Sequence, residues 1–294
     1  MKIGVCGTGR MGGAMAGRLL EEGQTVEVWN RSADRAQPLV DAGATVASSP
    51  AELMANCDLV ISMLFDATAQ AEVYKGSDGL LANPGSETLI VDMSTMTPDA
   101  ARTLAADVAA ADIAWLECPV GGTVAPAKNG KLLGMAGGDA AAYEKAKPIL
   151  ELLCRRLEYV GEAGTAAAMK LAVNLPLATY WESLGEALSL AIAGGVDAEL
   201  AGSMLADSSG AISVAGARMP MVLAGIGEKP TEPGSFDVAG MVKDVTLMRE
   251  FADTHGIELP LADAAQKTYT AADEEGWGPN DAAVMASWRC RQSS

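Results

Sequence analysis

The sequence predicts an α/β fold: an N-terminal, mostly parallel, doubly wound sheet, then one long helix, then an all-α C-terminal domain. Three observations carry this expectation. Through residue 161, short apolar runs alternate with stretches of helical period, the pattern of strands crossed over by helices. The first strand breaks into a Gly7-x-Gly9-x-x-Gly12 turn that opens a helix. Beyond Gly161-Glu162-Ala163-Gly164 the strand-like runs stop and every apolar stretch has helical spacing.

The elements follow in order. Residues 3–6 form a short apolar strand, the glycine turn follows, and 15–22 continue as a helix. Residues 25–29 read as the second strand, 59–64 as the third and 88–92 as the fourth. Helical patterns at 69–73 and 98–111 lie between later strands. Apolar runs at 113–117, 132–136 and 157–160 complete the sheet. From 165 to 193 runs a single long helical pattern containing Pro176, which is expected to kink it or force a local adjustment. Helices are then expected at 197–205, 213–222, 238–254, 260–275 and 280–289, with the Gly- and Pro-rich stretch 225–235 as a loop. The domain boundaries that follow are 1–162, 163–193 for the connecting helix, and 194–294. Ligands are expected where the carboxyl edge of the sheet meets the second domain.

The strand–turn–helix arrangement is what a dinucleotide requires. Gly7 permits the tight turn, Gly9 lets the backbone approach a pyrophosphate, and Gly12 lets helix and strand pack closely. Glycine is common here (32 residues), so the pattern alone is weak. Its context, a Rossmann-type strand–turn–helix–strand unit, strengthens it. Thr8, Arg10 and Met11 within the turn are candidate cofactor contacts.

The second strand ends Trp29-Asn30-Arg31-Ser32, with no carboxylate at its tip. NAD-binding versions usually place Asp or Glu there for the ribose hydroxyls. Arg31 can pair with a 2′-phosphate, and Asn30 and Ser32 can hydrogen-bond to it, so the reading is NADP. The alternative is that Arg31 is a solvated loop charge.

Composition narrows the partners. A net charge of −17 argues against nucleic acid and anionic membranes, so the expected partner is a small molecule. Hydrophobic residues make up 49%, enough for a sizeable core without staples. The five cysteines are scattered, with no metal-binding spacing, and read as reduced thiols; no metal site is expected. No apolar run approaches a membrane span, and the first strand begins at residue 2, so a cytoplasmic protein is expected. The 165–193 helix is apolar on more than one face, for example at 188–193, which predicts a homodimer or homotetramer.

Several motifs in order resemble the β-hydroxyacid dehydrogenases, the family of 3-hydroxyisobutyrate dehydrogenases and glyoxylate/succinic semialdehyde reductases. They are the N-terminal fingerprint, Asp92-Met93-Ser94-Thr95, Pro119-Val120-Gly121-Gly122, Gly161-x-x-Gly164 followed by Lys170-x-x-x-Asn174, and Lys243-Asp244. The resemblance covers the whole chain. It implies an NADP-dependent oxidoreductase that passes hydride between NADPH and a small aldehyde or keto acid, the reverse being 3-hydroxy acid dehydrogenation.

The resemblance also implies roles. Lys170 is the proton donor to the carbonyl oxygen; its neighbours at 166–169 are small or apolar, which suits a partly desolvated amine. On spacing alone, a surface lysine on an amphipathic helix is the better reading. Asn174 lies four residues on, so the two share a helix face. Thr95 is expected to touch nicotinamide and substrate, and Ser94 either binds substrate or caps the helix starting at Pro98. Met63 and Leu64 end the third strand and either line the cofactor path or pack in the core. Lys243 and Asp244, expected to open a helix, lie by family resemblance near the nicotinamide and near the lysine respectively. Phe236 matches an aromatic that closes over the pocket; the alternative is a buried loop anchor. His255, the only histidine, precedes Gly256 at a helix end and reads as structural.

Two positions depart from the family. Gly121-Gly122-Thr123 replaces the usual Ser-Gly-Gly, losing a hydroxyl that helps hold the substrate carboxylate, though glycine-loop amides still bind anions and Thr123 partly compensates. Leu175 replaces a common second Asn and makes the pocket more apolar. An imine reductase of the same fold and a non-catalytic NADP-binding protein are the competing readings. Relatives of both kinds generally lack the lysine.

Overall fold

The computed structural model describes residues 1–292. The strands are β1 (Lys2–Cys6), β2 (Thr25–Trp29), β3 (Thr45–Val46), β4 (Leu59–Ser62), β5 (Leu89–Asp92), β6 (Trp115–Glu117), β7 (Val120–Gly121), β8 (Leu132–Gly138) and β9 (Cys154–Gly161). They form one sheet in the order β3-β2-β1-β4-β5-β6-β8-β7, with β9 on β8. Pairing is parallel from β3 to β6; β8 runs antiparallel to β6 and β7, and β9 returns parallel to β8. Strands β1, β4 and β5 are buried on both faces, which is why they read as continuous apolar runs.

The helices of this half are α1 (Arg10–Glu21), α2 (Gln37–Asp41), α3 (Pro50–Asn56), α4 (Ala67–Lys75), α5 (Pro98–Ala110), α6 (Val124–Lys128) and α7 (Ala140–Leu153). They cover both sheet faces over two cores. One gathers Ile3, Val5, Met15, Leu19, Val91 and Leu150; the other gathers Leu53, Val60, Tyr74, Ile90, Val108 and Trp115. Start signals work as chemistry dictates. Ser49, Asp66, Thr97 and Asp139 each accept a backbone N–H at the start of α3, α4, α5 and α7.

Helix α8 (Thr165–Ala193) follows, then α9 (Ala198–Ala206), α10 (Ala215–Gly227), α11 (Val238–His255), α12 (Pro260–Ala272) and α13 (Met285–Gln292). The chain divides into two compact units, Met1–Leu171 and Ala172–Ser294, with the division inside α8. In the second unit the strand-like pairing is a single bridge between Asp237 and Asp281, among the described residues.

Several boundaries differ from expectation. Helix α1 starts at Arg10, not residue 15, because Gly9 in extended conformation serves as its N-cap and places Gly12 inside the first turn. Strand β4 stops at Ser62, so Met63 and Leu64 belong to the loop beyond it. Strands β3 and β7 and helices α2, α3, α6 and α7 lie outside the elements the spacing predicts; β3 is two exposed residues, too short for a period-2 signal. Pro176 does not end α8, which continues as one element; the Thr179 hydroxyl donates back to the Leu175 carbonyl on the preceding turn. Helix α10 extends through Gly227 into the expected loop, because Gly225 lies against Ser287, whose hydroxyl donates to the Val222 carbonyl. The last helical pattern splits into a 3₁₀ turn, Ala282–Val284, and α13. Lys243 and Asp244 lie in the second turn of α11, not at its start, because Asp237 caps the helix by accepting the Gly240 N–H.

Candidate active site

The glycine turn is built tightly. Gly7 has φ 97° and donates its N–H to the Trp29 carbonyl at 2.8 Å. A Cβ on Gly12 would collide with the Gly7 carbonyl oxygen, while one on Gly9 would meet open space. The turn therefore leaves its outer face to a ligand. Asn30 reaches back across it: its Oδ1 accepts the Thr8 N–H at 3.0 Å and its Nδ2 donates to the Ser32 carbonyl at 2.9 Å. Asn30 thus shapes the cradle, and one of its two amide N–H groups is spent on Ser32. The Thr8 hydroxyl is buried without a hydrogen-bond partner. An orphaned donor beside an open glycine backbone at a helix N-terminus fits a pyrophosphate.

A cleft of about 450 Å³ runs from this turn. It is lined by Gly7, Gly9, Asn30, Arg31, Met63 and Glu72, among others. Leu64, Ser32 and Arg35 line it too. Arg31 is exposed, and its guanidinium lies 3.4 Å from the Glu72 carboxylate on α4. Arg35 and Glu72 escaped the sequence reading. Arg35 falls in a short 3₁₀ turn and Glu72 lies 41 positions from its partner. Arg10 is exposed at the start of α1, and Met11 packs against the core.

At the carboxyl ends of β4 and β5 a buried polar knot ties two loops together. Asp92 is fully buried and accepts hydrogen bonds from the Ser62 hydroxyl (2.8 Å), the Tyr74 hydroxyl (2.7 Å) and the Ser94 N–H (2.8 Å). Burial pushes its carboxyl up, and these three donors pull it back. The Ser94 hydroxyl accepts the Leu64 N–H at 3.0 Å and caps no helix; Thr97 caps α5 instead. Thr95 beside it is half-buried. In the glycine loop, the left-handed backbone falls on Gly122 (φ 122°), whereas Gly121 is the last residue of β7. Thr123 precedes α6 without a side-chain cap bond.

Lys170 sits in the second turn of α8 and is 8% exposed. The turn before it is held by Glu117, the last residue of β6. Glu117 accepts N–H bonds from Gly164 (2.6 Å), Ala166 (3.1 Å) and Ala167 (3.2 Å). One turn after Lys170 comes Asn174, also buried. In the second unit, Asn174 Nδ2 donates to Asp244 Oδ2 at 2.7 Å, and Lys243 Nζ lies 3.1 Å from Asp244 Oδ1. The structure thus brings Asn174, Lys243 and Asp244 into one cluster. Asp244 is only 2% exposed, so its charge is compensated by these two partners. Phe236 is half-buried over Gly240 at the start of α11. His255 bonds through Nδ1 to the Phe251 carbonyl at 2.9 Å, as a helix-end histidine does. Among the described residues, no group of three or more His, Cys, Asp or Glu is placed to hold a metal, and no helix is long and apolar enough to cross a membrane.

Comparison with known proteins agrees with this geometry. Residues 2–161 match the family model described as the NAD-binding domain of 6-phosphogluconate dehydrogenase. Residues 164–288 match that of the NAD-binding of NADP-dependent 3-hydroxyisobutyrate dehydrogenase. The chain is 32% identical to glyoxylate/succinic semialdehyde reductase 2 of Arabidopsis thaliana, over 100% of this chain and 81% of that protein. It is also 32% identical to the NAD-dependent L-serine dehydrogenase of Pseudomonas aeruginosa, over 97% and 96%. Among solved structures, 3-hydroxyisobutyrate dehydrogenase of Mycobacterium tuberculosis with L-serine superposes with a TM-score of 0.83 at 27% identity, covering 97% of each chain. Psf3, solved with NADP+ and 2-OPP, gives 0.86 at 27% identity over 97% of this chain and 99% of that one. The glycine cradle, the Lys170–Asn174 helix and the whole-length matches agree, and the chain belongs to the β-hydroxyacid dehydrogenase family of NAD(P)-dependent oxidoreductases.

Proposed function

We propose that this enzyme uses NADPH to reduce a small aldehyde or keto acid, the reverse being oxidation of a 3-hydroxy acid, with Lys170 as general acid and base. The observation that carries the reading is Lys170 itself: a buried amine on α8, one turn from Asn174, in a chain matched along its length by hydroxyacid dehydrogenases and reductases. When bound, NADPH supplies the hydride to the carbonyl carbon. Lys170 then delivers one proton to the carbonyl oxygen, leaving a neutral amine that water reprotonates. Family resemblance assigns substrate contacts to Ser94, Thr95 and the Gly121-Gly122-Thr123 loop in the first unit, and to Asn174 and Phe236 in the second. By family resemblance Lys243 would serve the nicotinamide end of the cofactor, and Asp244 holds Asn174 and Lys243 in place. The division of labour is 1–162 for coenzyme, 163–193 as connecting helix and 194–294 for substrate and assembly.

NADP over NAD rests on the cleft wall, where Arg31 and Arg35 stand and the strand tip offers no carboxylate. A cytoplasmic location, with five reduced cysteines, belongs to the same reading. So does a homodimer or homotetramer. Leu190, Leu200 and Met204 in the second unit expose apolar surface that a second copy would cover, and light scattering reads the mass directly.

Lys170→Ala tests the chemistry. Turnover with glyoxylate or succinic semialdehyde is expected to fall about 10²–10⁴-fold, the usual worth of general acid catalysis, while the NADPH Kd stays within twofold. A variant keeping more than a tenth of native kcat places the proton donor elsewhere.

A further inference from the structure

We propose that Glu117 is a positioning residue for Lys170: its buried carboxylate clamps the first turn of α8 to the end of β6, and this clamp sets where the lysine amine stands. The inference rests on the reading of Lys170 as proton donor.

The first N–H groups of a helix have no partner within it, and a buried helix start needs an acceptor from elsewhere. Most helices take it from a Ser, Thr, Asp or Asn at the N-cap. Helix α8 cannot. The residue before it is Gly164, with φ 91°, and a Cβ there would stand 2.9 Å from both the Pro98 carbonyl oxygen and the Arg102 guanidinium. No side chain fits at the cap position. Glu117 supplies the missing acceptor from the sheet, taking the N–H groups of Gly164, Ala166 and Ala167. The Thr165 N–H is met by the Glu162 carbonyl, and the Ala168 N–H begins the regular ladder on Gly164. Every backbone N–H from Gly164 to Ala168 therefore has an acceptor.

Room for the carboxylate is equally specific. Gly137 on β8 faces it, and a Cβ there would come within 2.7 Å of Glu117 Oε1. Glu117 is 1% exposed, and on β5 its neighbour in register is Asp92, itself fully buried. Burial and Asp92 push its carboxyl up, while the three backbone donors pull it down.

Lys170 lies four residues after Ala166 and three after Ala167, so it stands directly above the clamped amides. Two consequences follow. The clamp fixes the helix start against the sheet edge that carries the coenzyme loops, and a displacement of about 1 Å at a reacting group costs up to about a hundredfold in rate. The carboxylate also offsets the positive end of the helix dipole, which otherwise disfavours an ammonium in the second turn. A neutral amide at position 117 keeps one acceptor, loses the charge and turns an N–H₂ toward a backbone N–H.

The test is a double-mutant cycle on the whole enzyme: Glu117→Gln, Lys170→Ala and both together, with kcat and KM for succinic semialdehyde and the Kd for NADPH. Glu117→Gln is expected to lower kcat ten- to a hundredfold, with the NADPH Kd unchanged within twofold. In the Lys170→Ala background the same change is expected to lower kcat by less than twofold, because its effect passes through the lysine. A general structural role predicts instead equal losses in both backgrounds, and that outcome overturns the proposal, as does native kcat in Glu117→Gln. If Glu117→Gln does not fold, Glu117→Asp takes its place in the cycle; it keeps the charge one methylene short and must show the same dependence on Lys170. Failure of the underlying reading is seen separately, as high kcat in Lys170→Ala alone.

Discussion

Arg31 and Glu72 face each other across the cleft at 3.4 Å, and coenzyme choice is expected to turn on that pair. In the free enzyme the two form an exposed ion pair, which solvent screens. A 2′-phosphate pairing with Arg31 would stand close to the Glu72 carboxylate. A charge-assisted contact from Arg31 is worth about 1.5–3 kcal/mol, or about ten- to a hundredfold in affinity. Arg31→Ala is therefore expected to weaken NADPH by that factor and leave NADH almost unchanged. Glu72 works in the opposite sense. Two unit charges about 5 Å apart in water repel by about 0.8 kcal/mol, more for a doubly ionised phosphate and less in salt. Glu72→Gln is thus expected to tighten NADPH roughly three- to tenfold, with the gain shrinking as ionic strength rises. Both positions are exposed, so neither change threatens folding. Fluorescence titrations with NADPH and NADH at two salt concentrations measure all of this. Equal affinity of the native enzyme for the two coenzymes, or an unchanged ratio in Arg31→Ala, refutes the role of Arg31. Weaker NADPH binding in Glu72→Gln refutes the competition.

Other perturbations have equally definite outcomes. Gly12→Ala drives a Cβ into the Gly7 carbonyl, and Gly7 cannot retreat because its own Cβ position abuts the Met63 carbonyl. A stability loss of about 1–3 kcal/mol is expected, together with at least a tenfold loss of NADPH affinity; native unfolding and titration curves would contradict it. Burial pushes the half-buried Glu182 carboxyl from 4.5 up to about 7, aided by Glu186 and opposed by the Thr268 hydroxyl and Arg289. The folded state holds this proton more tightly than the unfolded one. Its contribution is therefore complete below pH 4.5 and lost as pH rises through 7, by up to about 3 kcal/mol. Glu182→Gln should flatten that part of the stability–pH curve from chemical denaturation; an unaltered slope between pH 5 and 7 counts against it. Gly121 ends a β-strand, so serine fits its backbone. Gly121→Ser is expected to raise kcat/KM for a carboxylate-bearing aldehyde by about tenfold and leave a neutral aldehyde of similar size unchanged. Parallel losses for both substrates would show a packing defect instead.

The sequence alone determined what local chemistry determines. The strand from 25 to 29, the Gly7–Gly12 turn and the helix end at Gly256 are written in spacing and turn residues, and the structure has them there. Lys170 and Asn174 share a face because helical period requires it. Tertiary structure decided the rest, because it depends on which distant segments meet. The reversal of β8 against β6 leaves no mark on an apolar run. Asn30 reads as a phosphate donor, and only the fold shows that its Oδ1 also accepts the Thr8 N–H and braces the turn. The Arg31–Glu72, Asn174–Asp244 and Glu117–Ala167 partnerships span 41, 70 and 50 positions, beyond any periodicity. In a strand, Glu117 looks like a misplaced charge. Only the arrival of a helix start that has no cap of its own explains why a carboxylate is buried there.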